Sequence, residues 1–142
     1  MYNTILVGID GSDEATGALE HAIDLADAVG ATLHVVSVVE TTGSSMRFGV
    51  TEVDELNRAV SELVDDVVDA HASQTVEITG DIRRGRPAES LLEYASEHGV
   101  DLILVGQHGS DGLASAILGS TTDRLARLTE IPMTIVPGQH LE

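Results

Sequence analysis

Short apolar runs alternate along the chain with longer amphipathic stretches, and few residues separate them. Thr4 to Ile9 reads as a strand that ends in Asp10-Gly11-Ser12, a turn whose serine suits the cap of a helix opening with Asp13 and Glu14. In that helix Leu19, Ala22, Ile23, Ala26 and Val29 fall on one face, and Gly30 suits the position just past its end. Thr32 to Val39 reads as a second strand, and the ETTGSSMRFG stretch after it as a mobile polar loop. A long helix is predicted from about Val53 to Ala72, with Leu56, Val60, Leu63, Val64, Val67 and Val68 at helical spacing and acids opposite. A third strand lies near Val76 to Asp81. Pro87 fits the first position of a short helix through Leu91, Leu92 and Ala95, which Gly99 ends. Leu102 to Val105 is almost wholly apolar and predicts a central strand. Ser120 to about Thr129 reads as a helix with Leu125 and Leu128 inward. Met133 to Val136, bounded by Pro132 and Pro137, reads as an edge strand.

Strands and helices in strict alternation predict an α/β protein, a doubly wound parallel sheet with helices on both faces, Rossmann-like in build. Such sheets bind ligands at the carboxyl ends of strands where the winding reverses, here between the first and fourth strands. The segment Val105 to Thr121, VGQHGSDGLASAILGST, follows the fourth strand. Gly106 and Gly109 enclose two residues, nine more lead to Gly119, and the hydroxyls of Ser120 and Thr121 come at once. Small residues there let backbone N–H groups approach an anion, and a helix starting beyond Gly119 adds unsatisfied donors and the positive end of its dipole. The bland alternative is an ordinary connection that uses glycine for tight turns.

Composition narrows the chemistry. A chain of 142 residues is expected to form one domain, 1–142, with a substantial core. It has no cysteine, which excludes disulfides, thiolate catalysis and cysteine-based zinc sites. Seven basic residues against 24 acidic ones leave a net charge of −17, and all seven are arginine. Without lysine there is neither a Schiff base nor the usual GxxxxGK[ST] phosphate loop. So acidic a surface should repel nucleic acid. Because the acids are scattered through well-formed periodicities, a salt-adapted, halophilic surface explains them better than disorder. No apolar run reaches membrane-spanning length and Met1-Tyr2-Asn3 leads straight into a strand, so a cytoplasmic protein with no membrane partner is expected.

With Asp10 after the first strand, G-x2-G-x9-G-S-T after the fourth, a Gly85-x-Pro87 turn and a short final strand, the chain resembles the universal stress protein family over nearly its whole length. The resemblance implies a five-stranded sheet in the order 3-2-1-4-5, a homodimer, and binding of ATP with Mg²⁺ through the phosphates. It places Asp10 and the backbone of Val38 beside adenine and ribose, and Val105 beside the nucleotide. Gly106 would pack on the ribose, with Gly109, Gly119, Ser120 and Thr121 at the phosphates. The chain has Gly8 where some nucleotide-binding members carry a small or proline residue.

The expected function is that of a dimeric stress-response switch or sensor with no dedicated catalytic activity; slow ATP hydrolysis or self-phosphorylation would fall to Ser120 or Thr121. The alternative is a dimeric interaction module that binds no nucleotide. A third possibility, an adenylating or pyrophosphatase enzyme, lacks its serine-glycine-glycine loop, since the first turn reads Asp10-Gly11-Ser12-Asp13. The apolar edge Met133 to Val136 is the expected dimer contact. Asp10 also suits a turn that bonds its own backbone. His108 reads as a spacer, and His21, His34, His71 and His98 are scattered without metal-ligand spacing. Arg83, Arg84 and Arg86 read as local neutralisation or, alternatively, as an anion contact; Arg124 and Arg127 read as surface ion-pair partners.

Overall fold

The computed structural model describes residues 2–10, 13–40, 58, 61, 62, 65, 66, 69, 70, 76–107 and 119–137. Its elements are β1 (Thr4–Ile9), α1 (Asp13–Val29), β2 (Thr32–Glu40), β3 (Ile78–Gly85), α2 (Pro87–Glu97), β4 (Leu102–Gly106), α3 (Ser120–Leu128) and β5 (Met133–Val136). The five strands form one sheet in the order β3-β2-β1-β4-β5, every pair parallel. This is the doubly wound, Rossmann-like sheet expected from the alternation.

Period-two alternation sorts each strand onto two faces. Ile5, Val7 and Ile9, with Leu33, Val35, Leu102 and Leu104, pack under Ala18, Leu19, Ala22, Ile23 and Ala26 of α1. Leu6, Val36, Ile103 and Val105 point the other way, onto Leu91, Tyr94 and Ala95 of α2 and Leu125 of α3. Each large aliphatic side chain so buried contributes about 1.5–3 kcal/mol. The alanines of α1 bring that helix close to the sheet. The seven described positions between 58 and 70 (Arg58, Ser61, Glu62, Asp65, Asp66, Asp69 and Ala70) are helical and exposed, and their spacing is that of one polar helix face. The apolar positions predicted opposite them lie outside the described residues, as do Ser12 and the ETTGSSMRFG stretch beyond its first residue, Glu40, which ends β2.

Both predicted glycine stops hold. Gly30 has φ +73°, and the Ala31 N–H donates to the Ala26 carbonyl at 3.0 Å. Gly99 has φ +64°, and the Val100 N–H donates to the Ala95 carbonyl at 3.0 Å. In each case a left-handed glycine lets the chain turn back and satisfy an orphan helix carbonyl.

Several boundaries differ from expectation. Val29 and Leu128 are 39% and 45% exposed, not inward. Each is the last residue of its helix, and periodicity assigns a face without telling whether the sheet extends beneath the final turn. The third strand is Ile78–Gly85 and not Val76 to Asp81, because pairing with β2 continues through Val38↔Arg83, Val39↔Arg84 and Glu40↔Gly85. β2 and β4 each run one residue further than predicted, and α3 stops at Leu128 with Thr129 as its cap. Among the described residues no helix is long and apolar enough to cross a membrane.

A polar cluster fastens the far side of the sheet. The Tyr94 hydroxyl lies 2.6 Å from His34 Nδ1, and the Tyr94 ring stacks on His98 at 3.9 Å between centroids. Thr79 Oγ1 stands 3.3 Å from the same His34 nitrogen, and the Arg83 guanidinium lies 4.8 Å above Tyr94. Burial, then the nearby His98, pushes the His34 imidazole below its ordinary value of 6.5, against the pull of Glu77. The unfolded chain therefore binds a proton more readily at this site than the folded one does. The resulting stability is complete above pH 6.5 and is lost as pH falls through the lowered value. Urea unfolding at pH 7.5 and 5.5 is expected to show a larger loss on acidification for the native chain than for His34→Gln; parallel losses would contradict this assignment.

Candidate functional site

The sheet registers place the sequence-predicted residues along one rim. Ile9 pairs with Ser37, so Asp10 and Val38 follow at the carboxyl ends of β1 and β2. Val105 pairs with Ile135 and Gly106 with Val136, at the same ends of β4 and β5. Asp10 is exposed, Val38 half-buried, and Val105 and Gly106 buried. A Cβ at Gly8 would stand 3.1 Å from Leu91 Cδ1 and at ordinary contact distance, 3.5 Å, from Val105 Cγ1, so a larger residue there presses on Leu91 of α2.

Two hydrogen bonds stitch together the two ends of the glycine segment, and a third ties one end to β5. The Gly119 N–H donates to the Gln107 carbonyl at 2.8 Å, and the Gln107 N–H donates to the Val136 carbonyl at 2.9 Å. The buried Thr122 hydroxyl donates to the Gly106 carbonyl at 2.8 Å. Gly106 and Gly119 are thereby held beside each other, although twelve residues intervene. Gly109 and His108 lie outside the described residues.

Gly119 caps α3 in an extended conformation, and among the described residues no side chain caps the helix. Ser120 is exposed and Thr121 half-buried in the first turn. A helix start with no side-chain cap presents N–H donors and a positive dipole end, which suits an anion. Among the described residues no group of three or more His, Cys, Asp or Glu side chains is placed to hold a metal ion directly.

The arginines divide by role. Arg83 donates to Asp81 at 2.9 Å and to Glu97 at 3.0 Å, which raises its pKa and fits local neutralisation, not an anion contact. Arg84 is exposed and has no ion pair among the described residues. Arg127 pairs with Asp123 at 3.1 Å within α3. Arg124 reaches across to Glu89 of α2 at 2.8 Å, and this guanidinium holds the Glu89 carboxyl below the usual carboxylate range. Arg86 and Pro87 open α2 immediately after Gly85, whose φ is +141° and whose added Cβ would lie 2.7 Å from Ser90 Oγ. That position is open only to glycine.

Sequence reasoning missed Thr122 and the Glu89–Arg124 pair. A third hydroxyl after Ser120 and Thr121 is a legible signal for the first. The second joins residues 35 apart and has no local signature.

A parallel sheet in this order, with its polar rim at the carboxyl ends of β1 and β4, defines a doubly wound α/β protein. The chain belongs to the universal stress protein family, whose model matches residues 1–137. It is 33% identical to universal stress protein YxiE of Bacillus subtilis, across 96% of this chain and 99% of that protein. Its fold matches universal stress protein UspA from Lactobacillus plantarum with a TM-score of 0.86 at 23% identity, covering 95% and 97% of the two chains. It is also similar to a universal stress protein solved in complex with cAMP, at 28% identity and a TM-score of 0.69, covering 96% and 97%.

Replacing Thr122 with valine removes the donor to the Gly106 carbonyl while keeping the side chain's shape. The expected cost is about 1–3 kcal/mol, read as a lower urea midpoint. An unchanged midpoint would mean that this bond does not hold the rim.

Proposed function

We propose that this universal stress protein binds an adenine nucleotide, ATP with Mg²⁺, and acts as a dimeric stress-response switch with no dedicated catalytic activity. The observation that carries the reading is the stitched pair Gly106 and Gly119, which holds the glycine-capped start of α3 on the same rim as Asp10 and Val38. Asp10 and the Val38 backbone take adenine and ribose, with Val105 and Gly106 against them. Gly109, Gly119, Ser120 and Thr121 take the phosphates. With no lysine in the chain, those contacts fall to backbone N–H groups, hydroxyls, arginine and the metal ion that the phosphates carry. A family member 28% identical to this chain was solved with cAMP, which supports an adenine nucleotide as the ligand class. The single-domain organisation and a cytoplasmic, salt-rich setting complete the reading.

The net charge of −17 favours a second reading, a dimeric interaction module without nucleotide, because bare ATP is repelled at low salt. Calorimetry separates the two. Affinity for ATP with Mg²⁺ is expected to hold or rise from low to molar potassium chloride, and Gly119→Leu to abolish it. Gly119 has φ −66° and ψ 163°, a conformation open to any residue, so the loss would come from bulk at the phosphate position. A steep decline with salt would contradict the screening argument, and unchanged affinity in Gly119→Leu would remove the site assignment.

The dimer contact proposed is β5, a four-residue edge strand whose Met133 and Ile135 are only half-buried in the chain alone. Ile135→Asp is expected to yield monomers by light scattering. A dimer that survives the substitution would place the interface elsewhere.

A further inference from the structure

Two arginines converge on one carboxylate between α2 and α3. Arg124 Nε donates to Glu89 Oε2 at 2.8 Å, and Arg124 Nη2 reaches the same oxygen. Arg86 Nη1 stands 4.0 Å from that oxygen. The other carboxylate oxygen, Oε1, is shut off from solvent and has no hydrogen-bond partner among the described residues. Among the described residues one carboxylate thus serves two guanidinium groups through a single atom, which leaves one positive charge over.

The position of this cluster gives the surplus charge a use. Arg86 is the cap of α2, Glu89 lies in that helix's first turn, and Arg124 sits four residues beyond Ser120 in α3. Residues four apart share a helix face, and side chains lean toward the helix N-terminus. Arg124 therefore shares a helix face with Ser120, and its guanidinium reaches Glu89 in the first turn of α2. Its side chain is 53% exposed and that of Arg86 75% exposed. Ion pairs this exposed contribute little to stability, so exchanging one partner for another costs little. The guanidinium fork matches phosphate oxygens, and no lysine competes for the role.

We propose that Arg124 is a specificity-determining residue of the nucleotide site, leaving Glu89 for the terminal phosphate of a nucleoside di- or triphosphate while Arg86 closes onto the vacated carboxylate. The inference rests on the nucleotide reading above and adds to it a preference set by phosphate number. A monophosphate, whose only phosphate stays next to the ribose, does not draw Arg124 away and gains nothing from it.

Calorimetry on the full chain with Mg²⁺, using ATP and AMP as probes, tests this. Arg124→Gln is expected to weaken ATP about tenfold or more and AMP less than twofold. Arg124→Lys should recover part of the loss. Glu89→Gln, which releases Arg124 from its competitor, should leave ATP affinity unchanged or higher. If the ion pair only braces α2 against α3, Glu89→Gln and Arg124→Gln weaken ATP alike, and the proposal falls. It also falls if Arg124→Gln weakens ATP and AMP equally or changes neither, with nucleotide binding itself intact. A native chain that binds neither ATP nor AMP removes the nucleotide reading and this inference together.

Discussion

β1 and β4 are walled in on both faces by apolar side chains, and the rest of the molecule follows from that enclosure. Ile5 through Val7 and Leu102 through Gly106 are all buried, so no polar group that must meet water or a ligand has room along these strands. Chemistry is displaced to the strand ends. At the amino ends it is structural: the Asp101 carboxylate accepts from the backbone N–H groups of Asn3 at 3.0 Å and Thr4 at 3.2 Å, fastening β4 to β1. At the carboxyl ends the chain departs through Asp10 on one side and Gly106 on the other. Parallel register holds those two exits level.

The same enclosure explains what sequence reveals. A strand covered on both sides writes an uninterrupted apolar run, and Leu102 to Val105 could be read as central from that alone. Gly30 and Gly99 were legible as helix stops because a left-handed residue is demanded there and glycine meets the demand cheaply. β3 was harder. It is an edge strand, and its Asp81, Arg83 and Arg84 look like loop residues until pairing with Val36, Val38 and Val39 is known. The ends of α1 and α3 failed for a related reason, since Val29 and Leu128 keep the helical period but overrun the surface it serves.

For the site, glycine spacing pointed to the rim at the carboxyl ends because close backbone approach is a local property. Asp10, Val38, Val105, Gly106, Gly119, Ser120 and Thr121 lie at or next to the carboxyl ends of strands, while Gly109 falls outside the described residues. The bonds that hold the rim are not local. Thr122 reaches a carbonyl sixteen residues back, and Glu89 meets Arg124 from another helix. Such partners are chosen by the packing of α2 beside α3, and nothing in the neighbourhood of either residue announces them.

Charge makes these partnerships more telling than they would be on an ordinary surface. On a chain carrying −17, an arginine's default state is to be neutralised, and Arg83 shows it: two carboxylates and an aromatic face surround one guanidinium. The Glu89 cluster inverts that ratio, with two guanidinium groups on one carboxylate. Acids are abundant enough to have supplied a second partner there, and Arg124 nevertheless shares one. Among the described residues this cluster therefore carries more positive than negative charge, where α2 and α3 meet. Dispersed negative charge repels an anionic ligand weakly and over a distance that salt shortens, whereas a guanidinium at contact distance acts locally. On a surface so acidic, salt would weaken the local attraction of such a guanidinium less than it weakens the dispersed repulsion.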